Sequence, residues 1–171
     1  HKDHELGSHV VQNVLGGTNL HAQNELLPIT YVENVPNTDT SSGHGTHVAG
    51  IVGATGAMSG GEYEGVAPGA QLIGYGSGAA VAMLDTIGGF DYALTHQTQY
   101  NIRVITNSWG DTGDSGTDFD PYNPINIATK ALYDRGIVTV FSAGNSGPAD
   151  STITGNYKKA PWVITVAAGT K

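Results

Sequence analysis

From residue 44 to residue 168 the chain alternates between helix-like and strand-like hydrophobic patterns. Residues 44–55 read as a helix of small residues that stops near Gly56. "AQLIGY" (70–75) is a short apolar run of the kind that forms a buried strand. Between 80 and 97, Val81, Leu84, Ile87, Tyr92 and Leu94 fall roughly at helical spacing, although Gly88 and Gly89 weaken that helix. "IRVITNS" (102–108) predicts a strand, and "INIATKALYDRG" (125–136) a helix stopped by Arg135-Gly136. "IVTVFSA" (137–143) and "WVITVAA" (162–168) predict two further strands. Strands joined through helices require crossover connections. The expected fold class is therefore α/β: three layers, with a mainly parallel β-sheet and helices on both faces. The first 40 residues are less regular and predict only a short strand near Val10–Val14.

In open parallel sheets, ligands bind beyond the carboxyl ends of the strands. Three glycine-bearing strand ends are thereby singled out: Gly74–Gly78, Asn107–Asp111 and Ser142–Gly147. Composition narrows the partners. A length of 171 residues suits one domain, with no internal repeat or low-complexity linker. Only 13 % of residues are charged and 25 are glycine, which fits a compact fold with many tight turns. A formal charge of −8 argues against nucleic acid or anionic lipid as a partner. There is no cysteine, so disulfide and thiolate chemistry are excluded. No apolar run approaches membrane-spanning length, and "HKDHELGSHV" at the start lacks the apolar stretch of a signal peptide.

The stretch "SSGHGTHVAG" (41–50) places His44 and His47 three residues apart at the mouth of a predicted helix, on neighbouring parts of one face. Two metal ligands could use that spacing. Zinc needs at least a third protein ligand, for which His21 or Asp3 are the candidates, and the glutamate of the usual zinc helix is missing. A catalytic base is the other reading. Gly43 and Gly45 flank His44 and leave room for a substrate, whereas His47 sits beside Val48, Ala49 and Ile51, as a buried structural histidine would. In "FSAGNSGP" (141–148), Asn145 follows a strand. It is either a turn former, or an amide aimed into a cleft to donate to a developing oxyanion. "NSWG" (107–110) and "GYGSG" (74–78) are strand ends whose glycines leave backbone open to an extended peptide.

Taken together and in this order, "GHGTHVAG", "GVAPGAQL", "NSWG" and "FSAGNSGP" resemble the subtilisin-like serine proteases, the subtilases. The resemblance runs from about residue 40 to residue 168, and the histidine block is its most specific part. It implies a subtilisin-like fold and peptide-bond hydrolysis by acyl transfer, with a polypeptide as substrate. It implies that His44 is the general base, that His47 is structural, and that Asn145 is the oxyanion donor. Gly76, Ser77 and Gly78, and likewise Ser108, Trp109 and Gly110, match the two segments that bind the substrate strand. Trp109 stands where a smaller apolar residue is common, so it either reshapes the first specificity pocket or packs in the core. A secreted or extracellular setting is the family expectation.

Two parts of the family's Asp–His–Ser triad have no match in these residues. In subtilisin the nucleophile lies roughly 65 residues beyond the oxyanion asparagine, and no "GTSMA"-like stretch occurs here. Asp3, between "HK" and "HEL", lacks the apolar strand that precedes the catalytic aspartate. The chain is therefore expected to be one partial catalytic domain, inactive alone, whose partners are the protease segments carrying the Asp and Ser motifs. A non-catalytic, peptide-binding module built from the same segments is the alternative. No cofactor is expected for the chemistry. Structural calcium is a candidate at Asp3, or in the cluster Asp111, Asp114, Asp118 and Asp120, against solvated turn-forming carboxylates.

Overall fold

The structure, a computed structural model, describes residues 6–16, 29–39, 42–76, 83–111, 113 and 115–169. Packing divides the chain into two compact units, residues 1–88 and 89–171.

The first unit is built on a three-stranded sheet of order β2-β1-β3, from β1 (Val10–Gly16), β2 (Tyr31–Val32) and β3 (Leu72–Gly76). β1 and β3 run parallel, in the register Asn13↔Gly74 and Leu15↔Gly76, while β2 pairs antiparallel to β1. Gln12 and Asn13 are buried in β1 and tie the return of the chain to the sheet. The Gln12 side-chain oxygen accepts from Asn34 N at 2.8 Å, and Val35 N donates to Asn13 O at 3.2 Å. Helix α1 (His44–Gly53) follows. Its last carbonyls lack intrahelical donors, and the segment after it supplies them: Val66 N donates to Ile51 O at 3.0 Å and Ala67 N to Val52 O at 2.7 Å. This explains the glycine that opens "GVAPGAQL". A Cβ on Gly65 would lie 2.7 Å from the backbone nitrogens of Gly53 and Ala54.

The second unit is a fully parallel sheet of order β4-β5-β6, from β4 (Val104–Asn107), β5 (Val138–Ser142) and β6 (Val163–Val166). Its helices are the carboxyl-terminal part of α2 (Met83–Thr95), the single turn α3 (Gln97–Tyr100) and α4 (Pro124–Asp134). Helix α4 has clear boundaries. Asn123 caps it by accepting from Ile125 N at 2.9 Å, Pro124 opens the first turn, and Gly136 ends it at φ 74°. Phe90, Ile125, Leu132, Ile137, Phe141 and Tyr157 form the core between these helices and one face of the sheet. The opposite face is different: Val104, Val138, Ile164 and Val166 are all exposed.

These elements match the expected α/β class, with parallel-rich sheets and helices. The expected strands and helices are present with boundaries shifted by no more than three residues, except that 80–82 of the α2 pattern, including Val81, lie outside the described residues. β2 and α3 were not expected. Each is too short to leave a periodic signal.

Candidate active site

In the first unit His44 is the first residue of α1 and is exposed. Gly43 before it takes a left-handed conformation (φ 74°) that suits glycine, and it offers no capping side chain. The cap comes instead from Asp39. Its Oδ1 accepts from Gly43 N at 3.0 Å, and its Oδ2 accepts from Thr46 N and from Thr46 Oγ1, each at 2.8 Å. The hydrogen bond from the Thr46 backbone holds the Asp39 carboxyl below its ordinary value of 3.8, against the opposing effect of burial. Thr46 Oγ1 and the backbones of Gly43 and Ser42 add to the lowering. The His44 N–H itself lies 3.3 Å from Ser42 Oγ. His47, expected to be buried, is exposed, and its backbone N–H makes the first bond of the helix to Gly43 O at 2.9 Å. Ile51, one turn on and on the same face of the helix as His47, is itself exposed, so apolar neighbours in sequence did not imply burial.

Gly76 closes β3. A Cβ there would meet Thr38 O at 2.7 Å and Thr38 Cβ at 2.8 Å, so the glycine admits the 36–39 segment across the strand end. Ser77 and Gly78 lie outside the described residues.

In the second unit, Asn107 pairs with Phe141 across β4 and β5. The strand ends Ser108–Gly110 and Ser142–Asn145 therefore emerge side by side, as the crossover pattern requires. Asn107 itself is buried and its amide donates to Val140 O at 3.1 Å, fastening one strand end to the other. Ser108 and Trp109 are half-buried, and Gly110 and Asn145 are exposed. Trp109 packs edge-on to Phe141 at 5.5 Å and tilted over Tyr157 at 5.8 Å, so the core reading describes where its ring sits. Gly144 has φ 103°, and a Cβ on it would lie 2.7 Å from Thr154 Oγ1.

Sequence reasoning missed Lys158. It is 3 % exposed and its Nζ lies 3.4 Å from Thr154 Oγ1. A side chain on Gly110 would collide with its ammonium, and one on Gly144 would come within 3.8 Å of it. This lysine backs both strand ends. Its signal in the sequence was that of an ordinary surface charge.

Among the described residues no three His, Asp or Glu side chains converge as metal ligands. Asp120 is a turn former, accepting from Tyr122 N at 2.9 Å. Asp3, Asp114 and His21 lie outside the described residues. Among the described residues no helix is long and apolar enough to cross a membrane.

The order of segments, the helix opening at His44 and the paired strand ends can be set against known proteins. The Subtilase family model matches residues 15–171. The chain belongs to the subtilase family. This is a family of subtilisin-type serine proteases. The chain is 38 % identical over 143 residues to the serine protease AprX of Bacillus subtilis (strain 168), covering 74 % of this chain and 30 % of that protein. It is 36 % identical over 131 residues to a subtilisin of Bacillus sp. (strain TA39), covering 72 % of this chain and 28 % of the relative. The solved structure of sphericase superposes with a TM-score of 0.64 at 26 % identity, covering 91 % of this chain and 53 % of that one. This subtilase chain thus spans less than a third of the length of the two curated relatives.

Proposed function

We propose that these residues are the general-base and oxyanion part of a serine endopeptidase. The observation that carries the reading is the seat of His44: an exposed imidazole at the first position of a helix, within the residues the family model matches. His44 takes the proton from a serine hydroxyl supplied by polypeptide outside these residues, as the serine oxygen bonds to the scissile carbonyl carbon. It then returns that proton to the leaving amine as the carbon–nitrogen bond breaks. The Asn145 amide donates to the carbonyl oxygen as that oxygen becomes an anion. Gly76 to Gly78 and Ser108 to Gly110 hold the substrate as an added strand. Nothing in these steps requires a metal.

The test is made on a longer parent polypeptide that includes both flanks. Peptide hydrolysis, with labelling of one serine by an organophosphorus reagent and loss of both in His44→Ala, supports the proposal. A parent that binds peptides without turnover, and is indifferent to His44→Ala, is the peptide-binding module instead.

A further inference from the structure

We propose that Asp39 is a positioning residue for His44, an inference that rests on the general-base reading above. A helix start leaves several backbone N–H groups without intrahelical acceptors. Here the Gly43 cap position has no side chain to serve them. Asp39 serves them from four residues upstream, and its bonds fall on both sides of His44. One oxygen holds Gly43, the residue before it, and the other holds Thr46, two residues after it, through both backbone and hydroxyl. The backbone that carries the imidazole is therefore clamped at both ends by one carboxylate.

Asp39 is itself fixed. Its N–H donates to Asn37 Oδ1 at 2.8 Å, and Asn37 Nδ2 donates to Asp39 O at 3.2 Å. Thr38 is buried against β3, where Gly76 has no side chain to keep it out and a Cβ on Gly74 would lie 3.3 Å from Thr38 Oγ1. A path of contacts thus runs from the β3 glycines through Thr38 and Asp39 to the first turn of α1. The carboxyl is held below its ordinary value, so the clamp keeps its charge down to acid pH. A general base must sit within hydrogen-bond reach of the proton it takes, and a displacement of about 1 Å can cost roughly a hundredfold in rate.

The experiment uses the longer parent with Asp39→Ala, Asp39→Asn, Thr46→Val and the double variant Asp39→Ala/Thr46→Val. Turnover per folded molecule, KM, Tm and the rate of reaction with a small organophosphorus serine reagent are measured. We expect Asp39→Ala to lower kcat about ten- to a hundredfold with KM within about twofold, and the reagent to slow in parallel, because it needs the base but no peptide wall. Asp39→Asn keeps one good acceptor and should fall between wild type and Asp39→Ala. Thr46→Val should have a smaller effect of the same sign, and the double variant should be no slower than Asp39→Ala, since both remove the same bond. A lower Tm with unchanged turnover per folded molecule would make Asp39 a helix cap only and overturn the inference. A raised KM at constant kcat would overturn it in favour of substrate binding. If the wild-type parent neither hydrolyses peptide nor reacts with the reagent, the general-base reading fails. The His44 ring resonances then decide the positioning. One side-chain rotamer in wild type that becomes several in Asp39→Asn supports it, and identical spectra overturn it.

Discussion

The two units hold their candidate functional groups in opposite ways. His44 is seated by polar bonds close in sequence: one carboxylate, two backbone N–H groups and a hydroxyl, all within residues 39–46. Asn145 follows β5, a strand buried on one face, and the segment leading to it is backed by residues distant in sequence. Phe141 in β5 packs on Trp109 and Tyr157, and Thr154 and Lys158 lie behind Gly144. A local polar clamp depends on the charge of one group. A packed seat depends on volume and on the integrity of the whole unit. The first is sensitive to pH and to one substitution, the second to any cavity in the core.

Four measurements on the longer parent separate these cases. Under the proposed mechanism, His44→Ala should have the largest effect, lowering turnover about ten-thousandfold or more without unfolding the protein. A residual rate near wild type would remove the first unit from the chemistry. Phe141→Ala should come next, costing about 3–5 kcal/mol of stability by leaving a cavity in the core of the second unit. Denaturant titration that shows a loss below about 1 kcal/mol would mean that the aromatic cluster does not hold the second unit together.

Asn145→Leu should lower kcat about a hundred- to a thousandfold, equivalent to roughly 2.7–4 kcal/mol, with KM little changed, because an oxyanion donor acts mainly in the transition state. Reduced thermal stability at unchanged turnover would make Asn145 a turn residue. The smallest effect belongs to the clamp on titration. The folded-state pKa of Asp39 lies below its unfolded value near 3.8, so its stabilising contribution is present above that value and is lost as pH falls through the lower folded one. Stability against pH should show a step in that acid range that is absent in Asp39→Asn. A matching step in both proteins would assign it to other carboxylates.

Much of this was legible in the sequence for a simple reason: apolar runs such as "IVTVFSA" and the stop at Arg135-Gly136 encode local structure locally. The family was legible because the order and content of its motif segments resemble a known one. What escaped was fixed by the fold. Asp39 reads as one polar residue in an irregular loop until the chain turns and brings its carboxylate onto the start of α1. The visible signal was an acidic residue shortly ahead of a helix whose cap position is glycine. Lys158 reads as surface because lysine is rarely buried, and only the convergence of β4, β5 and the short 3-10 helix Asn156–Lys159 reveals otherwise. His47 erred the other way. Its apolar neighbours suggested an interior position that the helix does not give it.

The face of the second sheet that carries Val104, Val138, Ile164 and Val166 has a consequence of its own. Parallel sheets are ordinarily covered on both sides, and branched aliphatic side chains left in water gain free energy from any apolar surface that meets them. β4 and β6 also lie at the ends of this sheet in its described strand order, and sheet ends invite pairing between chains. For the 171-residue chain prepared by itself, colloidal behaviour is therefore set before chemistry. Light scattering should rise steeply with concentration, and a surfactant or a Val104→Thr/Ile164→Thr pair should suppress that rise.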